Sequence, residues 1–112
     1  MAGLNKVILI GYLGNEPEII SNDGSEKLSF RLITDSPFSK NGENSWEMES
    51  HNIVIPDKMV ALACRLLTKG KLIYIEGKAI TTCVKDERDI KRYHTKIVAS
   101  YFKLLGRPGD FI

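Results

Sequence analysis

The stretch Lys71-Leu72-Ile73-Tyr74-Ile75-Glu76-Gly77-Lys78, entered from Gly70, decides how this chain is read. Leu72, Ile73, Tyr74 and Ile75 are consecutive apolar or β-favouring residues, so neither face of the segment is plainly polar. That is the pattern of a strand covered on both faces at its centre. Gly70 and Gly77 mark where a helix stops and where backbone must bend or pack closely. A helical pattern lies upstream and a charged hairpin downstream.

Toward the N-terminus, residues 4–13 open a first strand rich in β-branched residues (Val7, Ile8, Ile10), with Gly11 and Gly14 as bend sites. Asn15-Glu16-Pro17 is a break, and Glu18-Ile19-Ile20 restarts an extended piece. Ser21-Asn22-Asp23-Gly24-Ser25 reads as a hairpin turn. In strand two, Leu28, Phe30 and Leu32 alternate with Ser29 and Arg31, so one face is buried. Residues 35–45 read as a polar loop. Strand three, residues 46–55, places His51, Ile53 and Ile55 on one face and Trp46, Met48, Ser50, Asn52 and Val54 on the other. Pro56 ends it, and Asp57 is positioned to cap a helix over residues 58–69 with Val60, Ala61, Cys64 and Leu67 on one stripe.

The opening stretch is then strand four. Residues 80–97 form a hairpin around a charged loop at 85–92, and residues 100–105 are a last short strand. Few long hairpins, one helix and no βαβ alternation predict an all-β domain. The expected architecture is a five-stranded OB-fold Greek-key barrel with one α-helix between strands three and four. It spans residues 1–106, followed by a short frayed end at 107–112.

The 112 residues make one domain, long enough for a core without staples. A net charge of +2 says little by itself about a polyanionic partner. Cys64 and Cys83 lack CxxC spacing and read as free thiols of a reducing compartment. No signal-like segment or 18-residue apolar run is present, so the sequence predicts a soluble cytoplasmic protein without a membrane span. No Ser/His/Asp or Cys/His constellation, phosphate loop or metal-ligand cluster occurs. The chain is therefore expected not to be an enzyme and to need no cofactor or metal.

Three motifs carry a resemblance. Asn5-Lys6-Val7-Ile8-Leu9-Ile10-Gly11-Tyr12-Leu13-Gly14-Asn15-Glu16-Pro17-Glu18 resembles the opening of bacterial single-stranded DNA-binding proteins. Residues 70–78 resemble that family's G-x-x-V/Y-x-I/V-E-G strand. Arg92-Tyr93-His94-Thr95-Lys96-Ile97-Val98-Ala99 resembles its R-Y-x-T-x-V-V-A strand, and Leu105-Gly106 its closing pair. The resemblance covers residues 4–106 and implies a homotetrameric OB-fold protein that binds single-stranded DNA with little sequence preference. Such proteins serve DNA replication, recombination and repair. Basic side chains neutralise phosphates, and exposed rings stack on any base.

Of the family's four aromatic platforms only the first keeps a ring, at Phe38; the others match Ser50, Pro56 and Val84. Trp46 shares strand parity with Ser50 and is a substitute platform if the strand runs that far without a bulge. Its alternative is an anchor against protein. The remaining expected DNA contacts are Lys6, Arg31, Lys40, Asn52, Lys58 and Lys69, with Lys78, Lys85, Arg88 and Arg92 concentrated in the downstream hairpin. Asp86, Glu87 and Asp89 dilute the field of that hairpin. His51 matches a family position at the subunit contact, and Tyr74 is expected in the core or that interface. The family's acidic tail, which recruits replication and repair proteins, is absent from this sequence, which stops at Gly109-Asp110-Phe111-Ile112. A competing reading is therefore a tail-less paralogue acting as a protein-interaction module in a primosome or conjugation complex.

Overall fold

The decisive stretch is the first half of a longer strand. In the computed structural model, which describes residues 2–22 and 24–106, the elements in order are β1 (Val7–Leu13), β2 (Glu18–Asn22), β3 (Ser25–Lys40), β4 (Glu43–Ile55), α1 (Asp57–Leu66), β5 (Leu72–Lys85) and β6 (Lys91–Gly106). The expected frayed end at 107–112 and Asp23 of the first turn lie outside the described residues.

The six strands form one sheet of order β1-β5-β6-β4-β3-β2, with β1 also meeting β3 at Tyr12↔Ile33 and Leu13↔Leu32. This overturns the expected five-stranded Greek-key barrel with its helix between strands three and four: the helix lies between β4 and β5. The additional strand is β2. Its Ile19 and Ile20 looked like a stray extended piece, but the turn after it folds it back on β3 in unbroken register from Glu18↔Ser29 to Asn22↔Ser25.

Residues 35–45 are not a loop. β3 and β4 pair without interruption from Leu28↔Ile55 to Lys40↔Glu43, so the polar residues extend a hairpin ribbon past the core. The turn is only Asn41-Gly42, both at positive φ, a pair that tolerates the left-handed conformation such a turn requires. The charged loop expected at 85–92 is likewise shorter, because β5 and β6 pair out to Lys85↔Lys91.

The core is Leu13, Leu28, Phe30, Leu32, Ile53, Ile55, Ile73, Ile75, Ile97 and Ala99, closed by Val60, Ala63 and Leu67. Each large aliphatic side chain buried here contributes about 1.5–3 kcal/mol by leaving water. The helix keeps half of its expected stripe. Val60, Ala63 and Leu67 face the core, whereas Ala61 and Cys64 are exposed. Asp57 is not the cap: Pro56 occupies that position, and the Asp57 carboxylate instead accepts the Glu26 N–H at 2.9 Å. The helix ends at Leu66, and Gly70 at φ +90° donates its N–H to the Leu13 carbonyl.

Two glycines let strands cross closely. A Cβ on Gly11 would strike the Ile33 carbonyl, and one on Gly77 would strike the Val98 carbonyl. At Gly77 the β5–β6 register slips, because Glu76 pairs Tyr101 while Gly77 pairs Ala99. Ser100 is the extra residue of this bulge, and its hydroxyl donates to the Glu76 carbonyl at 3.2 Å. The bulge reverses which residues of β6 face outward, from even numbers before Ser100 to odd numbers after it. The expected separate strand at 100–105 is the continuation of β6 beyond this point.

Candidate nucleic-acid interface

Two ribbons leave the core side by side. β4 and β6 run parallel and are paired only at Ile53↔Ile97 and Val54↔Val98, so the β3–β4 and β5–β6 ribbons separate immediately beyond. In an antiparallel ribbon directly paired residues share a face, and successive rungs alternate. The faces can therefore be read from the register.

On β3–β4 the outward face carries the rungs Arg31↔Asn52, Ile33↔Ser50, Asp35↔Met48 and Pro37↔Trp46. No register shift interrupts β4, so the condition under which Trp46 shares a face with Ser50 is met. Trp46 is 68% exposed and Met48 63%. The opposite face carries Leu32↔His51, Thr34↔Glu49, Ser36↔Glu47, Phe38↔Ser45 and Lys40↔Glu43. Phe38 and Lys40 thus stand among three glutamates, on the face away from Trp46.

On β5–β6 the outward rungs are Lys78↔Val98, Ile80↔Lys96, Thr82↔His94 and Val84↔Arg92. Asn52 and Lys96 are each the next residue beyond the last β4–β6 pairing. Arg31, Asn52, Lys96 and Lys78 therefore occupy the outward surface where the ribbons part. These rungs carry one carboxylate, Asp35, two rungs from Arg31, and Glu76, the outward residue of β5 before Lys78, pairs with Lys6. Arg31 is held in place by its own N–H, donated to Asn15 Oδ1 at 2.8 Å.

Of the residues expected to contact DNA, this surface brings together Arg31, Trp46, Asn52, Lys78 and Arg92. Lys6, which precedes β1, borders it: the side chain pairs with Glu76 at 3.4 Å and lines a shallow cavity with Lys78 and Val98. The others lie elsewhere. Lys58 is in the first turn of α1, and Lys69 follows the helix, its N–H donated to Glu16 Oε1 at 3.1 Å. Lys85 and Arg88 are at the far end of β5–β6. Of the matched aromatic positions, Ser50 and Val84 fall on the outward face and Pro56 at the N-cap of α1.

The far turn is built by Asp86. Its Oδ1 accepts the N–H groups of Arg88 and Ile90 at 2.9 and 3.0 Å, and its Oδ2 accepts Arg92 Nε at 3.2 Å. The hydrogen bond from Ile90 is the main reason its carboxyl titrates below the usual aspartate value, with Arg88 and Arg92 adding to it. Asp89, at positive φ, reaches Lys85 at 3.8 Å. Two of the three acids expected to dilute the basic hairpin are thus occupied in shaping it.

Sequence reading missed Lys96, Met48 and Tyr93. Lys96 and Tyr93 were visible only as members of a motif; the β5–β6 register sets Lys96 on the outward face and Tyr93, 66% exposed, on the inward one. Met48 shares parity with Trp46 and became relevant once residues 35–45 proved to be paired strand.

The expected subunit-contact residues lie apart in kind. His51 faces inward with Ile53, its Nε2 3.0 Å from Thr34 Oγ1. Tyr74 faces outward on β5, edge-on to Tyr101 with ring centroids 6.2 Å apart. Ile8 and Ile10, over half exposed, flank this pair through Ile8↔Glu76 and Ile10↔Tyr74. Among the described residues there is no group of three metal-ligating side chains and no helix long and apolar enough to cross a membrane.

One helix set between β4 and β5 of a single sheet in which β1 meets both β5 and β3, with two ribbons projecting from it, is an OB-fold core. The single-strand binding protein family model matches residues 4–105, and the chain belongs to that family. It is 38% identical over 107 residues to single-stranded DNA-binding protein 1 of Chlorobaculum tepidum, covering 93% of this chain and 66% of that one. The single-stranded DNA-binding protein of Neisseria meningitidis is 36% identical over 109 residues, covering 96% and 63%. The chain thus spans just under two thirds of the length of these relatives. Among solved structures, the Plasmodium falciparum SSB complex with ssDNA superposes at a TM-score of 0.82 with 29% identity, covering 94% of this chain and 97% of that one. A deletion mutant of the Thermus aquaticus single-stranded DNA-binding protein gives 0.82 with 25% identity, covering 96% and 53%. Members of the family are binding proteins, which agrees with the expectation that this chain is not an enzyme.

Proposed function

We infer that this chain binds single-stranded DNA without sequence preference, using the outward surface of the two ribbons, and so protects it during replication, recombination and repair. The observation that carries this reading is the sorting of side chains between faces. Trp46, Met48, Arg31, Lys96 and Lys78 lie outward with Asp35 and the Lys6-paired Glu76 as the nearby carboxylates, whereas Glu43, Glu47 and Glu49 lie on the other face of β3–β4. Phosphates near the outward cations release counterions, and Trp46 offers a stacking surface that every base can use. The similarity to the Plasmodium falciparum SSB complex with ssDNA supports the same reading.

The protein acts in the cytoplasm as a homotetramer, with residues 1–106 as its DNA-binding domain. The exposed apolar surface of Ile8, Ile10, Tyr74 and Tyr101 supports self-association, since four large apolar side chains on one sheet face gain by leaving water. Tyr74 lies at the centre of this contact; His51, facing inward on β4 against Thr34, is not on this apolar surface. Titration of Trp46 fluorescence with oligo(dT) at several salt concentrations tests the function. Quenching with an affinity that falls steeply as salt rises is expected, and absence of binding at low salt would refute it.

A further inference from the structure

The inward face of the β5–β6 ribbon carries an arrangement the outward surface does not use. Thr81↔Thr95, Cys83↔Tyr93 and Lys85↔Lys91 are successive rungs on that face. The first is confirmed by the threonine hydroxyls, 2.8 Å apart. Tyr93 is 66% exposed, although it sits mid-strand with Cys83 opposite. Beyond it two lysines stand directly opposite each other, an arrangement that disfavours the ribbon through like-charge repulsion. Lys85 reaches only the exposed Asp89, at 3.8 Å, and Lys91 makes no ion pair among the described residues. An exposed ring one rung, about 7 Å along the strand, from an opposed lysine pair offers a base a surface to stack on and its phosphate two cations.

The geometry points to a second nucleotide subsite formed by Tyr93, Lys85 and Lys91, on the reverse of the ribbon from Val84 and Arg92. The ligand is a segment of the same single-stranded DNA. A strand that follows the outward face past Arg92 turns round the edge of the ribbon and places a later base on Tyr93. The inference rests on the proposed function and extends it from a one-sided track to a strand wrapped round the hairpin.

The test compares the parent protein with Tyr93→Leu, Tyr93→Phe and Lys91→Ala on short and long oligo(dT), with Trp46 quenching reporting the outward track. Tyr93→Leu should weaken long oligonucleotides about tenfold, the size of one base–aromatic stack, and leave short ones unchanged. Tyr93→Phe should behave as the parent, and Lys91→Ala should lower the salt dependence by about one phosphate contact. Photocrosslinking of oligo(dT) bearing 5-iododeoxyuridine should yield a labelled peptide containing Tyr93. Unchanged affinity of Tyr93→Leu for long oligonucleotides, with crosslinks confined to other peptides, overturns the subsite while leaving the function standing. Failure of the parent to bind at all overturns both.

Discussion

Phe38 and Trp46 are neighbours on one ribbon yet point away from each other, because Trp46 pairs with Pro37 and Phe38 with Ser45. The face given to Phe38 holds Glu43, Glu47 and Glu49, whose charges oppose an approaching phosphate within a screening length of about 10 Å at 0.1 M salt. Trp46→Ala should therefore cost about 1–3 kcal/mol of oligo(dT) affinity, one stacking contact. Phe38→Ala should cost less. Equilibrium titration of both variants checks this, and a larger loss from Phe38→Ala would place the DNA on the acidic face.

Lys96 is a cation that only the register reveals. Lys96→Ala should weaken binding to all sequences alike and reduce the salt slope by about one contact, whereas Lys58→Ala on the helix should leave the slope unchanged. Slopes of log affinity against log salt for the two variants discriminate the ribbon surface from a diffuse basic one.

Gly77 packs against the backbone of β6 so closely that Gly77→Ala must displace Val98 or shift the bulge. A loss of about 1–3 kcal/mol is expected, as for other overpacked sites. Chemical denaturation measures it. Gly3→Ala, in open space, is the control and should be neutral.

The exposed apolar surface on β1 and β5 predicts that Ile10→Glu gives a smaller species than the parent in sedimentation analysis, with an unchanged circular dichroism spectrum. The same assembly size in both proteins would put the subunit contact elsewhere.

Two groups titrate away from their usual values. Desolvation, reinforced by the Glu76 carboxylate and by Tyr101, raises the Tyr74 phenol above its usual 10.0. Its contribution is complete below pH 10.0 and is lost as pH rises through the higher folded-state value. Asp86 is shifted the other way, below 3.8. Its contribution is present above 3.8 and is lost as pH falls through the lower folded-state value. Thermal melts against pH should show an alkaline decline that Tyr74→Phe abolishes. The protection of the Ile90 amide relative to its intrinsic exchange rate, which the Asp86 carboxylate supplies, should fall as pH drops below 3.8.

Much of the fold was legible because burial writes itself into period. Leu28, Phe30 and Leu32 alternate and all three are buried, as expected, and Ile73 and Ile75 are buried too; Tyr74 between them is only half-buried, so that strand is fully covered on one face and not on both. What escaped was pairing in segments without a buried face. Residues 35–45 are polar on both sides, so no alternation marks them as strand, yet they pair in full register. Ile19 and Ile20 are adjacent apolar residues on opposite faces of an edge strand, a pattern that periodicity cannot assign. In the helix Val60 and Leu67 face the core as expected, but Ala63 takes the place between them, because Ala61 and Cys64 are small enough to suit either side.

The candidate interface divides in the same way. The family motifs and the parity of Trp46 with Ser50 and Asn52 are local properties, and the sequence by itself determined them. Which cations share a surface was decided only by the tertiary structure. Arg31, Lys78 and Lys96 come from three strands, and what joins them is the short parallel contact at Ile53↔Ile97 and Val54↔Val98. Cross-strand register depends on where ribbons end and where a bulge such as Ser100 falls, and neither is encoded by the type of the residue it relocates.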